Sequence, residues 1–198
     1  MKLLVATTNQ GKLHELRQLL SSLDVEVLGL DQLENPPGVE EDGATFRDNA
    51  VKKALTLARF CGLLTLADDS GLCVDVLEGA PGVFSARYAG KHADDRANNA
   101  RLIRELRQVP LIRRRAHFHC CIALAWPDGR CNTVEGRVDG LIVDEERGTN
   151  GFGYDPLFLV PEYGKTMAEL PAAIKNRISH RGRALEQLLP FIEQAIKP

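Results

Sequence analysis

The chain has 198 residues, of which 44% are hydrophobic, 26% charged and 6% aromatic, with 17 Gly and 10 Pro, a make-up that excludes disorder, collagen and coiled coil. Lys plus Arg number 25 against 27 Asp plus Glu, a formal charge of -2, so no global field draws the protein to DNA or anionic lipid and any anionic ligand must be held locally. The length predicts a single domain over residues 1–198. The N-terminal apolar run turns polar at Thr7, too soon for a signal peptide, and no apolar run is long enough to span a bilayer. Cys61, Cys73, Cys120, Cys121 and Cys131 are odd in number and lack CxxC spacing, which points to a reducing compartment. A cytoplasmic protein with no membrane or nucleic-acid partner is expected.

Short apolar runs alternate with helical periodicity, the pattern of an α/β fold. Leu3 to Thr7 reads as a buried strand, and after the turn residues Asn9 to Gly11 the leucines at 13, 16, 20 and 23 fall on one helical face. Asn35-Pro36-Pro37-Gly38 breaks the chain before a second helix starting near Thr45, where Thr45 and Asp48 stand three apart as in a capping box. Leu63 to Ala67 reads as a buried strand ending at Asp68-Asp69-Ser70-Gly71, the kind of polar strand end where open α/β sheets place their sites. A helix over Asp94 to Gln108 follows, then a strand from Ala116 to Trp126, the turn Pro127-Asp128-Gly129 and further β-like sequence through Val143. Gly151 to Pro156 is a Gly-rich loop before the apolar Leu157 to Val160, and a last helix covers roughly Arg183 to Ile196, with a kink or restart expected at Pro190.

Five groups invite chemistry. Thr7-Thr8-Asn9-Gln10-Gly11-Lys12 joins a strand to a helix and offers N–H groups, hydroxyls and a lysine to an anion, although it lacks the Walker A pattern. Glu41, Asp42, Asp68 and Asp69 are oxygen donors of the kind Mg²⁺ takes, together with substrate phosphates and water; Asp68 and Asp69, adjacent on a strand, point to opposite faces and divide their labour unless the chain has already turned, the plain alternative being that both merely cap a turn. Lys53 lies beside the apolar stripe of the second helix and Lys52 further round, so Lys53 is the one placed to reach inward or to snorkel. Lys175 to Arg181 concentrates donors that, with Phe152, suit a flat polar ring, or else forms a basic surface loop. His117-Phe118-His119-Cys120-Cys121 lacks a second ligand pair at zinc spacing, and Arg113-Arg114-Arg115 reads as a solvated strand entry.

Taken in order, Thr8-Asn9-Gln10-Gly11-Lys12, Glu41-Asp42-Gly43-Ala44-Thr45-Phe46, Asp68-Asp69-Ser70-Gly71-Leu72, Gly79-Ala80-Pro81-Gly82 through Ser85-Ala86-Arg87-Tyr88, Gly151-Phe152-Gly153-Tyr154-Asp155-Pro156, Gly164-Lys165-Thr166-Met167-Ala168-Glu169-Leu170 and Ser179-His180-Arg181-Gly182 closely resemble the inosine triphosphate pyrophosphatase family. The resemblance implies a mixed central β-sheet with flanking helices and two lobes around a nucleotide cleft, a homodimer, and Mg²⁺-dependent cleavage of dITP, ITP or XTP to the monophosphate and pyrophosphate. It further implies that Thr7, Thr8, Asn9, Gly11, Lys12 and Lys53 hold the triphosphate, that Glu41 and Asp69 organise Mg²⁺, with Asp69 the proton acceptor and Asp68 in support, and that Ser70, Phe152, Gly153, Tyr154, Asp155, Lys175, His180 and Arg181 contact the nucleoside. The competing readings are a Maf-like pyrophosphatase of other modified or pyrimidine nucleotides, and a nucleotide-sensing or RNA-binding module without catalysis.

Overall fold

The computed structural model describes residues 1–90 and 94–196. Its strands are β1 (Lys2–Val5), β2 (Glu26–Leu28), β3 (Leu64–Val74), β4 (Arg115–Ala125), β5 (Cys131–Ile142), β6 (Phe158–Val160) and β7 (Lys165–Thr166). Its helices are α1 (Gln10–Leu19), α2 (Phe46–Cys61), α3 (Asp95–Leu106), α4 (Ala172–Ile178) and α5 (His180–Ile196). Among the described residues the strands form one mixed sheet in the order β2-β1-β3-β4-β5-β6-β7. β1 runs parallel to both β2 and β3, with Leu4 opposite Leu28 and Val5 opposite Leu66, whereas β6 is antiparallel to β5 and β7. The α/β reading with a mixed sheet therefore holds.

The chain divides into two compact units, each assembled from separated segments. The first comprises Met1–Asp69, Cys120–Gly136 and Arg181–Pro198, the second Ser70–His119 and Arg137–His180. In the first unit strand alternation sorts the core by face. Leu3, Val5, Leu64, Leu66, Cys120, Ile122 and Leu124 pack with Leu13 and Leu16 of α1 and with Leu185, Leu188 and Ile192 of α5. Leu4, Ala6, Ala67, Cys121, Ala123 and Ala125 pack with Ala50, Ala54, Leu57 and Ala58 of α2. The second unit has its own core, in which Leu102 and Leu106 of α3 and Ile178 of α4 meet Phe118, Val138, Ile142, Leu157 and Phe158.

Local chemistry explains the helix boundaries. Thr45 and Asp48 form the expected capping box at the start of α2, and Gly62, at φ 69°, closes its end in the left-handed conformation. Three expectations need correction. β3 does not stop at Ala67 but continues through the two acids to Val74, because the partners described below compensate buried carboxylates inside a strand. The stretch 175–181 is not a surface loop: Lys175 lies in α4 and Arg181 in α5, both buried. α5 runs without interruption through Pro190, since Pro190 and Glu186, whose carbonyl loses its acceptor role there, are both exposed to water. Arg114 also departs from the solvated reading, being 4% exposed, with Nε donating to the Val109 carbonyl at 2.7 Å and a second nitrogen paired with Asp144.

Candidate active site

β3 carries two acids side by side, and alternation sends them to opposite faces. Asp68 has the parity of Leu64 and Leu66 and faces α1 and α5; Asp69 has the parity of Ala67 and faces α2. Asp68 is met by Lys12 Nζ of α1 at 2.5 Å, by Arg181 Nε and Nη2 of α5 at 3.3 and 3.4 Å, and by the Cys120 thiol, which donates at 2.8 Å. Arg181, 2% exposed, also pairs with Glu15. Burial works against the Asp68 charge, but Arg181 and Lys12 outweigh it and hold the carboxyl well below its ordinary range. Burial likewise opposes the Lys12 charge, and Asp68 with Asp69 more than offsets it, so Lys12 stays a cation. Asp68 pushes the Cys120 thiol well up, adding to burial, so this cysteine is an unreactive donor.

Asp69 has gentler company. Its Oδ2 accepts from Asn49 Nδ2 at 2.9 Å, and Asn49 Oδ1 accepts from the Gly43 N–H at 2.7 Å, tying α2, β3 and the acidic loop together. Burial, with the Glu41 charge adding to it, prevails over Lys12, Asn49 and Lys53 and pushes Asp69 up to about 6. Glu41 itself pairs with Lys53, which is buried as its place beside the apolar stripe predicts, whereas Lys52 is exposed and reaches Asp42 at 2.5 Å.

The loop between β1 and α1 stands at the start of a helix. Asn9 is its N-cap, with Oδ1 accepting from the Lys12 N–H at 3.0 Å, and Thr7 Oγ1 accepts from the Asn9 N–H at 3.1 Å. Thr8 is exposed and Gly11 half-buried. First-turn N–H groups have no intrahelical acceptor, and together with the helix dipole they favour an anion here. Thr7, Thr8, Asn9, Gly11, Lys12, Glu41, Lys53, Asp68, Asp69 and Arg181 all belong to the first unit.

The second unit gathers the remaining candidates. Asp155 Oδ2 accepts from Lys175 Nζ at 2.5 Å and from the Phe152 N–H at 3.0 Å, and Lys175 Nζ lies 5.4 Å from the centre of the Phe152 ring. Gly151 makes this possible: at φ 81°, a Cβ there would lie 2.1 Å from Asp155 Oδ2 and 2.5 Å from Lys175 Nζ. Tyr154 is buried and donates to the Ser85 carbonyl at 2.8 Å, so it braces the loop. His180 stacks on Phe118 with ring centres 4.9 Å apart, and Ser70 sits half-buried within β3. The donors at 175–181 are thus divided, Lys175 joining Phe152 and Asp155 while Arg181 joins Asp68 and Glu15.

Sequence reasoning passed over Asn49, Glu15 and Cys120. Asn49 and Glu15 were detectable as polar residues flanked by buried apolar neighbours on their helices, a placement that demands a partner. Among the described residues no group of three or more His, Cys, Asp and Glu is arranged to hold a metal, and no helix is long and apolar enough to cross a membrane.

A mixed seven-stranded sheet flanked by helices, with a helix N-terminus and two buried acids in the first unit and the Phe152, Asp155 and Lys175 group in the second, defines an α/β protein of mixed-sheet type. The Ham1 family model matches residues 3–191, and the chain belongs to the Ham1 family. A relative from Geobacter sulfurreducens named dITP/XTP pyrophosphatase is 55% identical over 187 residues, covering 94% of each chain. One of the same name from Desulforamulus reducens is 53% identical over 194 residues, covering 98% of this chain and 96% of its own. Among solved structures, a HAM1 protein from Coxiella burnetii superposes with a TM-score of 0.87 at 42% identity, covering 98% of this chain and 99% of that one. The nucleoside-triphosphatase / dITP/XTP pyrophosphatase from Mycobacterium abscessus gives 0.76 at 46% identity, covering 97% and 100%.

Proposed function

We propose that this chain is a Mg²⁺-dependent nucleoside triphosphate pyrophosphohydrolase that removes dITP, ITP and XTP from the nucleotide pool, releasing the monophosphate and pyrophosphate. Family membership and the names of its relatives support the class. The observation that carries the mechanism is the unequal treatment of the two acids: Asp68 is held in ion pairs by Lys12 and Arg181, while Asp69 accepts from the neutral Asn49 amide, an arrangement that supports Asp69 as the proton acceptor.

Glu41 and Asp69 fit Mg²⁺, which takes one or two carboxylates and fills its shell with phosphate oxygens and water, and the repulsion that Asp69 feels from Glu41 is relieved by a cation. Held by Glu41 and Asp69, Mg²⁺ would supply the positive charge that offsets the phosphates. The Thr7 to Lys12 loop and Lys53 hold the triphosphate, and Asp69 orients the attacking water and takes its proton. Phe152 stacks on the base, and Lys175, which has only donors to give, favours a purine O6 over the 6-amino group of adenine. The resemblance gives His180 and Arg181 to the nucleoside, and if only donors face the 2-position a guanine amino group finds no acceptor there, at a cost of about 1–3 kcal/mol. Arg181 has a second task in anchoring Asp68. The family resemblance adds a homodimer in the cytoplasm, with light scattering as the check on assembly.

The test is product release with and without Mg²⁺ from dITP, ITP and XTP against dATP, dGTP, dCTP and dTTP. Metal-dependent pyrophosphate release confined to the first three is expected; preference for a pyrimidine nucleotide points to a Maf-like enzyme, and no product from any points to a binding module. Asp69→Asn lowers turnover by about 10²- to 10⁴-fold with little loss of nucleotide affinity. Near-normal turnover in that variant would remove Asp69 from the base role.

A further inference from the structure

Phe152 needs a fixed main chain on both sides if its ring is to serve as a platform. The N–H of Phe152 is held by Asp155 Oδ2 at 3.0 Å. The peptide that follows it is held from α3: the Gly153 N–H donates to Asp95 Oδ2 at 2.7 Å, and the Gly153 carbonyl accepts from Asn99 Nδ2 at 3.2 Å. Asp95 and Asn99 are one turn apart on the helix, so their side chains share a face and grip the peptides on either side of Gly153. Gly153 itself adopts φ 60°, a conformation open to glycine without strain.

Asn99 supplies an independent sign that this grip is selected for. It is 3% exposed, and its Nδ2 donates to Glu146 Oε1 at 2.8 Å as well as to Gly153, while its Oδ1 is buried without a hydrogen-bond partner among the described residues. Turning the amide over would set Oδ1 against two oxygens, so the orientation is fixed by the acceptors. An unpaired buried oxygen costs free energy that an apolar residue would avoid, so the amide is present for what its nitrogen holds.

We propose that Asp95 and Asn99 are positioning residues for base recognition: by clamping Gly153 they fix the main chain of Phe152 and hold its ring over the base and beside Lys175. This inference rests on the reading of Phe152 and Lys175 as base-binding groups. Neither residue is among the groups assigned to the phosphates, so the two should govern base affinity and discrimination rather than the chemical step.

The experiment compares wild type, Asp95→Ala, Asp95→Asn and Asn99→Ala for kcat and KM on ITP and GTP, for IMP binding by calorimetry, and for thermal unfolding. Asp95→Ala and Asn99→Ala should each raise KM for ITP and weaken IMP binding by about five- to tenfold, the loss of one hydrogen bond, with kcat moving much less. The preference for ITP over GTP should narrow in both, and Asp95→Asn, which keeps an acceptor oxygen, should recover most of the affinity. Folded variants with unchanged KM and IMP affinity, or a loss confined to kcat, would overturn the proposal. If Asn99→Ala does not fold, the Asp95 pair decides, since that side chain is exposed. A wild type that neither cleaves ITP nor binds IMP overturns the functional reading and the clamp with it, whereas failure of the clamp alone appears only in the variants.

Discussion

Asp68 and Asp69 are adjacent in the chain but face opposite sides of β3 and meet different hydrogen-bond partners. On its face Asp68 joins an ion-pair network with Lys12, Arg181 and Glu15, in which Asp68, Arg181 and Glu15 are buried. Removing one member leaves an unpaired charge in a dry interior, so Asp68→Asn should lower unfolding free energy by about 3–5 kcal/mol in urea titration. Lys52→Ala, which breaks only the exposed pair with Asp42, should shift it by at most about 0.5 kcal/mol. Equal effects would mean that the buried set is not a closed unit. The types of these residues were legible in the sequence, and so was the opposed orientation of the acids. Their partners were not, because Arg181 lies 113 positions from Asp68 and 166 from Glu15, and no local periodicity reports on pairs that distant.

At the level of elements, local signals worked where the chemistry is local. The Thr45 capping box, the strand from Ala116 and the turn around Gly129, whose N–H donates to the Trp126 carbonyl at 3.0 Å, are all present. Propensity misled where tertiary packing overrides it. Acids suggest a strand end, yet β3 extends past them because both faces are supplied with partners. Pro190 suggests a break, yet α5 keeps Leu188 and Ile192 in the core on either side of it. Because Pro190 costs a hydrogen bond and relieves no strain that an alanine would meet, Pro190→Ala should stabilise the protein by about 1–3 kcal/mol in the same titration. No gain would show that the core depends on the backbone geometry proline imposes.

Across the molecule, each unit has its own apolar core, and β3, β4 and β5 each contribute residues to both units. One consequence is an alkaline limit set in the second unit. Burial, with the bond to Glu105 and its charge adding, pushes the Tyr88 phenol up to about 12 against the opposing Arg101, and burial raises Tyr154 in the same sense. The folded state therefore binds the phenol proton more tightly than the unfolded chain, where it leaves near 10. Stability from Tyr88 is complete below about pH 10 and is lost as pH rises through about 12. Tyr88→Phe should be less stable near neutrality, having lost the bond to Glu105, but should show a shallower decline across that window in denaturation followed at several pH values. An unchanged slope would assign the alkaline loss to other groups.

Composition, periodicity and motif order by themselves determined the α/β class, the capped start of α2 and the inward-facing lysine at position 53. These follow from local rules: alternation, helical spacing and the donor or acceptor character of each side chain. The tertiary structure alone decided which charges pair with one another. It paired Asp68 with Lys12 and Arg181, bonded Asp69 to the Asn49 amide, and set α3 against the Gly153 peptide. The reason is physical: the effect of a carboxylate, an amide or a guanidinium depends on burial and on the nearest opposite charge, and both are created when distant segments meet in the folded chain.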